Sequence, residues 1–275
     1  MKRSARRRRE QFTGIAALIL VLLALLLVAI LLPGNTTALE NPDFSEKPPS
    51  PPEPNPYGPE DFAYIGDYLT CLSGRSIPGI DVSAHQQTVD FQAVAEAGIE
   101  FVMIRVGYRG YETGELVADK YAQRNYRNAR AAGLQVGAYF FSQATSVREA
   151  QEEALFFLRA IQGWKLDMPA VYDWEYVSDD ARTGGMTPRA VTDCTLAFCR
   201  AVASKGYQPM VYFNPHQARD FLLLEELTQY PFWLAMYTDR MEYAYKVDMW
   251  QYTDAGQVPG IEGPVDINLY FPEES

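Results

Sequence analysis

From about residue 77 onward, apolar runs of strand length alternate with amphipathic stretches of helix length, and that alternation leaves few folds open. Residues 80–82 read as a first strand, 91–97 as a short helix ended by Gly98, and 101–106 as a continuous apolar strand. The pattern continues through a helix at 120–132 stopped by Gly133, a strand at 135–141, a helix at 147–161 and a strand at 169–174. A helix at 188–205, capped by Thr187 and stopped by Gly206, leads to a strand at 209–213. Three further apolar runs, at 232–235, 249–252 and 265–269, are joined without clear helices. Strands that alternate with helices build a parallel sheet, and eight of them in roughly 200 residues close on themselves. The predicted fold class is α/β: a modified TIM-like β/α barrel of about five β/α units plus three closing strands.

Upstream, the chain changes character twice. Residues 15–32 are eighteen apolar residues without a charge or a proline, ended by Pro33. That length is just enough to span the hydrocarbon core of a bilayer as a helix. Lys2, Arg3, Arg6, Arg7, Arg8 and Arg9 come immediately before it, which by the positive-inside rule puts the N-terminus in the cytoplasm. The competing reading is a cleaved signal peptide, for which Asn35-Thr36-Thr37-Ala38 is a poor cleavage site; both readings export the domain. Residues 42–59 hold eight prolines and read as a stiff, extended spacer. The expected organisation is a cytoplasmic basic tail at 1–14, a transmembrane anchor at 15–33, an extracellular proline-rich linker and lead-in at 34–73, and the barrel domain at 74–275. The protein is then single-pass at the plasma membrane with its domain outside, or, on the second reading, secreted.

Charge and composition narrow the partners. The six N-terminal basic residues against Glu10 give residues 1–10 a charge of +5, so the rest carries −16 of the net −11. So acidic a body argues against nucleic acid, whose phosphates need clustered Lys and Arg. Cys71, Cys194 and Cys199 are too few for a disulfide framework and read as unpaired thiols. With two histidines and no CxxC, neither a metal site nor a cofactor is expected, and the domain is expected to act as a monomer.

In a β/α barrel the chemistry sits at the C-terminal ends of the strands. Asp81, Asp173, Glu175 and Asp266 fall at such ends, in or beside apolar runs where acids are disfavoured. Asp173 and Glu175 are two residues apart, so strand alternation points them the same way. Two carboxyls held side by side in apolar surroundings cannot both ionise easily, and one can then serve as a proton donor near neutral pH. Glycoside hydrolysis needs such a pair, an acid for the leaving oxygen and a carboxylate for the developing positive centre. Tyr108, Tyr139, Tyr172, Trp174, Tyr212, Tyr237 and Trp250 cluster at the predicted strand ends, where aromatic faces could stack on sugar rings. Each of them could equally be core packing. His85 is close enough in sequence to hydrogen-bond Asp81.

Seven ordered motifs then point to one family. They are Gly79-Ile-Asp-Val-Ser83 followed by His85-Gln86, Phe101-Val-Met-Ile-Arg105, Gly133-Leu-Gln-Val-Gly-Ala-Tyr139, Pro169-Ala-Val-Tyr-Asp-Trp-Glu175, Phe232-Trp-Leu-Ala-Met-Tyr237, Trp250-Gln-Tyr-Thr253 and Gly260-Ile-Glu-Gly-Pro-Val-Asp-Ile-Asn268. Over roughly residues 77–273 the chain resembles the glycoside hydrolase family 25 lysozymes, also called Chalaropsis-type or cellosyl-type muramidases. The resemblance implies hydrolysis of the β-1,4 bond between N-acetylmuramic acid and N-acetylglucosamine in peptidoglycan, without metal or cofactor. By motif position Glu175 resembles the general acid, Asp173 its partner carboxylate, and Asp81 and Asp266 the other cleft acids. Gln87-Thr88 and Phe91 depart from the family's common residues, but none of them touches the acids. Two alternatives stay open at this point: a non-catalytic module that binds wall glycan in the same cleft, and a chitin-type hydrolase.

Overall fold

The computed structural model describes residues 48–272. Two short strands come first, β1 (Phe62–Ile65) and β2 (Tyr68–Cys71), an antiparallel hairpin turned at Gly66, whose φ of 66° suits glycine. The barrel follows: β3 (Ile77–Val82), β4 (Phe101–Arg109), β6 (Gln135–Ser142), β7 (Ala170–Trp174), β8 (Pro209–Phe213), β9 (Phe232–Ala235), β10 (Met249–Gly256) and β11 (Val265–Tyr270). These eight strands pair in chain order, and β11 pairs back onto β3 to close the cylinder. A three-residue strand, β5 (Leu116–Ala118), lies against the far end of β4.

Five helices alternate with the strands as the sequence pattern requires: α1 (Phe91–Glu96), α2 (Ala122–Ala131), α3 (Val147–Ala160), α4 (Pro188–Ala203) and α5 (Pro215–Asp220). Their ends carry capping signals, of which Thr187 was the one expected. Ser146 caps α3 by accepting from the Glu149 N–H, and Thr187 caps α4, whose first residue is Pro188. The five β/α units and three closing strands are therefore present, but the sheet is not all parallel. β11 runs antiparallel to both β10 and β3. The cause is the connection across residues 257–264, which contains Pro259-Gly260 and Gly263-Pro264. A parallel partner needs a long crossover, whereas a short turn can only bring the chain back alongside.

The apolar side chains fall into two compartments. Outward residues of the strands pack beneath the helices, for example Tyr172 of β7 against Phe198 of α4 at 4.8 Å between ring centroids. Inward residues, among them Phe101, Met103, Val171, Met210, Trp233 and Met249, fill the cylinder. Gly79 makes room there, since a Cβ at that position would stand 2.2 Å from the Phe101 ring.

No helix follows β9 or β10, and the β1–β2 hairpin covers the gap. Phe62 meets Trp250 edge-on at 5.1 Å, and the Leu69 N–H donates to the Tyr252 hydroxyl at 3.3 Å. The proline-rich stretch at 42–59, read from the sequence as a stiff, extended spacer, is bonded to the domain from Ser50 onward. Ser50 N–H donates to the Glu225 carbonyl (3.0 Å), Asn55 N–H to that of Ala244 (3.0 Å), and Lys246 N–H to that of Glu53 (2.8 Å). Prolines 51, 52, 54 and 56 have no N–H to satisfy, and the residues between them make these bonds. Tyr57 completes this strap against Phe271, with ring centroids 5.1 Å apart. The strap lies at the end of the barrel where β8, β9 and β10 begin.

Among the described residues the three cysteines are free and buried, and no helix is long and apolar enough to cross a membrane. The basic tail and anchor expected at 1–14 and 15–33 lie outside the described residues.

Candidate active site

The four acids converge on the other end of the barrel. Asp81 is the penultimate residue of β3, and Asp266, the second residue of β11, sits directly opposite it in register. Asp266 thus opens its strand, unlike the strand-end position read from the sequence; the reversal of β11 brings it to the same rim. Asp173 lies on β7, and Glu175 is one residue beyond that strand.

Asp81 is held by a polar scaffold. Its Oδ2 accepts from Gln251 Nε2 at 2.8 Å and from Asn268 Nδ2 at 2.9 Å. Each amide is oriented in turn: Gln251 Oε1 accepts from the hydroxyls of Tyr212 (3.2 Å) and Tyr237 (3.1 Å), and Asn268 Oδ1 accepts from Trp233 Nε1 (2.9 Å). Burial raises the Asp81 carboxyl above its ordinary range, while the two amides and Asp266 pull the other way. Burial, followed by the neighbouring Asp81, pushes Asp266 up to about 8. Near neutral pH this pair keeps a proton, with Asp266 as donor to Asp81.

Asp173 and Glu175 form the second pair. Asp173 is buried, and its Oδ1 has no hydrogen-bond partner. Burial, then Glu175 and Asp81, lift its carboxyl well above the usual range. Burial and Asp81 raise Glu175 to about 7. The barrel's apolar filling lies directly below and supplies the low dielectric behind these shifts. This pair, too, retains at least one proton near neutral pH.

Among the aromatic residues singled out from the sequence, Tyr139 and Tyr212 line the inside of the barrel, and Tyr237, 54% exposed, stands at the rim. Tyr108 is half-buried beside Arg105, whose guanidinium lies 5.3 Å from its ring centroid. Three others face away from the cleft. Tyr172 packs 4.8 Å from Phe198 of α4, Trp174 lies 5.4 Å from Phe221, and Trp250 packs on Phe62 and donates to the Met236 carbonyl. The reason is the two-residue period: with Asp173 and Gln251 inward, residues 172, 174 and 250 must point out. His85 is exposed on a 3₁₀ turn, and no bond joins it to Asp81, whose donors come from β10 and β11.

Arg105, Gln251 and Asn268 stand within the ordered motifs, where residue type gave them no role, and Asp119 stands outside them. Arg105 Nε and Nη2 both reach Asp119 Oδ2 at 3.1 Å, and its charge favours ionised Asp81 and Asp173. A lone arginine within the apolar run 101–106 was the signal available for it. Among the described residues no group of three or more His, Cys, Asp or Glu side chains is arranged to hold a metal ion.

A closed β/α barrel with two proton-sharing carboxyl pairs at its mouth has the equipment for acid-assisted cleavage of a glycosidic bond. The sequence model of glycosyl hydrolases family 25 matches residues 80–261, and the chain belongs to that family. It is 31% identical to the YegX protein of Escherichia coli K12 over 208 residues, 71% of this chain and 70% of that one. The autolytic lysozyme of Clostridium acetobutylicum is 29% identical over 193 residues, 70% of this chain and 55% of that protein. In fold, the chain is similar to the modular autolysin LytC from Streptococcus pneumoniae, crystallised with a synthetic peptidoglycan ligand, at a TM-score of 0.63 and 24% identity. That match covers 72% of this chain and 47% of the other, so the chain spans about half the length of LytC.

Proposed function

We propose that the protein is a muramidase that hydrolyses the β-1,4 bond between N-acetylmuramic acid and N-acetylglucosamine in peptidoglycan. Glu175 acts as general acid and Asp173 orients the 2-acetamido group of the sugar being cleaved. The observation that carries this reading is the Asp173–Glu175 pair itself at the open end of the barrel: Asp173 buried, Glu175 half-buried, both carboxyls raised, and Asp173 raised in part by Glu175. Glu175, near 7, holds a proton for the leaving oxygen at neutral pH. The Asp173 carboxyl, inward on β7 two residues before Glu175, is the group that accepts from the acetamido N–H on this reading. Held that way, the acetamido carbonyl oxygen attacks its own anomeric carbon as the glycosidic bond breaks and Glu175 gives its proton to the departing oxygen. Water then opens the cyclic intermediate, returning a proton to Glu175, and configuration is retained.

Asp81, already gripped by Gln251 and Asn268, shapes the floor of the cleft with Asp266. Tyr139, Tyr212 and Tyr237 supply its aromatic wall. The domain works outside the cell, anchored through residues 15–33. Incubation of the protein with purified peptidoglycan should release new N-acetylmuramic acid reducing ends, first as the β-anomer by NMR. Release of N-acetylglucosamine ends would overturn the bond assignment, and initial α-anomer would overturn retention. Protease added to intact cells should remove the domain.

A further inference from the structure

The chain leaves the sheet where it must be held most firmly. The pairing of β7 with β8 ends at Asp173, and its pairing with β6 ends at Trp174. Glu175 follows with no strand ladder to fix its peptide. Two side-chain amides take over that task. The Trp174 carbonyl accepts from Gln217 Nε2 at 2.8 Å, and the Glu175 carbonyl accepts from Gln143 Nε2 at 2.6 Å. The glutamines come from different elements, Gln217 from α5 and Gln143 from the turn after β6.

Each amide has one defined orientation. Thr183 Oγ1 donates to Gln143 Oε1 (3.1 Å), and the Asn214 N–H donates to Gln217 Oε1 (2.8 Å). Both side chains are fully buried, at 0% and 1% exposure. Burial of an amide is unfavourable unless its groups are bonded, and a leucine would fill the same space without that requirement. A leucine could not donate to a carbonyl. The segment after Glu175 is clasped as well: Arg182 reaches the Glu149 carboxylate with both terminal nitrogens (2.9 and 2.7 Å) and also donates to the Gln143 carbonyl.

We propose that Gln143 and Gln217 are positioning residues for Glu175, standing in for the ladder bonds that β7 lacks beyond its end and fixing the carboxyl in the cleft. This rests on the reading of Glu175 as the general acid. A displacement of about 1 Å in a reacting group lowers rate by about 10²-fold, which sets the scale of the effect.

The test uses the full chain on soluble glycan strands, with Gln143→Leu, Gln217→Leu and Thr183→Val. Gln143→Leu should lower kcat by about 10- to 100-fold with KM within about twofold. The alkaline limb of its rate profile should move to lower pH, as water reaches the loosened carboxyl. Gln217→Leu and Thr183→Val should shift kcat and limb in the same direction by less, and Thr183→Val carries the test if either leucine variant does not fold. In a Glu175→Gln background, Gln143→Leu should leave the residual rate unchanged, because the residue it positions is already lost. Folded variants with the native kcat and pH limb overturn the proposal. So does an equal fall in both backgrounds, which would mark a general structural role. Native activity in Glu175→Gln alone would instead overturn the assignment of the acid, and is read from a different variant.

Discussion

Replacing Glu175 by Gln keeps the side chain's shape and removes both its proton and its charge, so one substitution should move activity and stability in opposite directions. Loss of a general acid lowers rate by about 10²–10⁴-fold, which corresponds to about 3–5 kcal/mol in the barrier. The stability effect follows from burial. In the folded protein the Glu175 carboxyl is raised from an ordinary value of 4.5 to about 7. A group raised on folding contributes stability that is complete below its unfolded pKa and is lost as pH climbs through the folded one. Between about pH 4.5 and 7 the native protein should therefore lose up to about 3 kcal/mol through this residue, an upper bound because solvent reaches part of it. Glu175→Gln carries no such loss. Urea unfolding of both proteins at pH 4.5 and 8 reads the difference directly: the variant should gain on the native protein as pH rises. Parallel stability curves would refute the claim that burial holds the proton, and a native rate would refute the acid.

Gln251→Ala should lower stability by about 2–3 kcal/mol by urea unfolding, because Asp81 loses a donor and the Tyr212 and Tyr237 hydroxyls lose their acceptor. Its kcat should also fall, and unchanged kinetics would remove the scaffold from the active site. Tyr172→Phe should cost about 1 kcal/mol through the lost contact with Ser142, 2.8 Å away, and leave kcat and KM unaltered; a raised KM would return Tyr172 to the cleft. Asn55→Ala removes the side-chain bonds to the Tyr243 carbonyl (2.9 Å) and from the Tyr57 N–H (3.0 Å), and should cost about 1–2 kcal/mol without changing kinetics. An unchanged melting temperature would show that the strap is not part of the folded unit.

Most of the barrel was legible because its signals are local and repeated. Strand-length runs recur at each unit, Gly98, Gly133 and Gly206 stop three of the helices, Thr187 caps one of them, and the acids stood out as charges in apolar runs. The reversal of β11 was also written locally, in the turn residues of 257–264, but the helix-and-strand rhythm of the preceding units concealed it. Tyr172, Trp174 and Trp250 were assigned to the cleft by counting aromatics near strand ends. The alternation that correctly aimed Asp173 inward should have aimed their side chains at the helix layer and the hairpin. The hairpin itself offered only two four-residue strands around Gly66-Asp67, too little apolar pattern to stand out. Gln143, Gln217, Gln251 and Asn268 could not be found by type at all. An uncharged amide in a strand or turn has many uses, and which carbonyl or carboxylate it serves depends on residues 30 or more positions away.

The strap from Ser50 to Tyr57 enters at one pole of the barrel, and the carboxyls open at the other. Entry and work are therefore opposed in direction. A domain held by the side on which its strap enters keeps its blade turned outward, like a tool gripped by the handle. The strap is hydrogen-bonded to the barrel at Ser50, Glu53 and Asn55, so the orientation of the cleft follows that of whatever holds the strap. On the proposed reading of an anchored muramidase, lengthening the chain ahead of Ser50 should extend the depth at which glycan is cut, whereas freeing the strap from Glu225 and Ala244 should broaden the angle of attack.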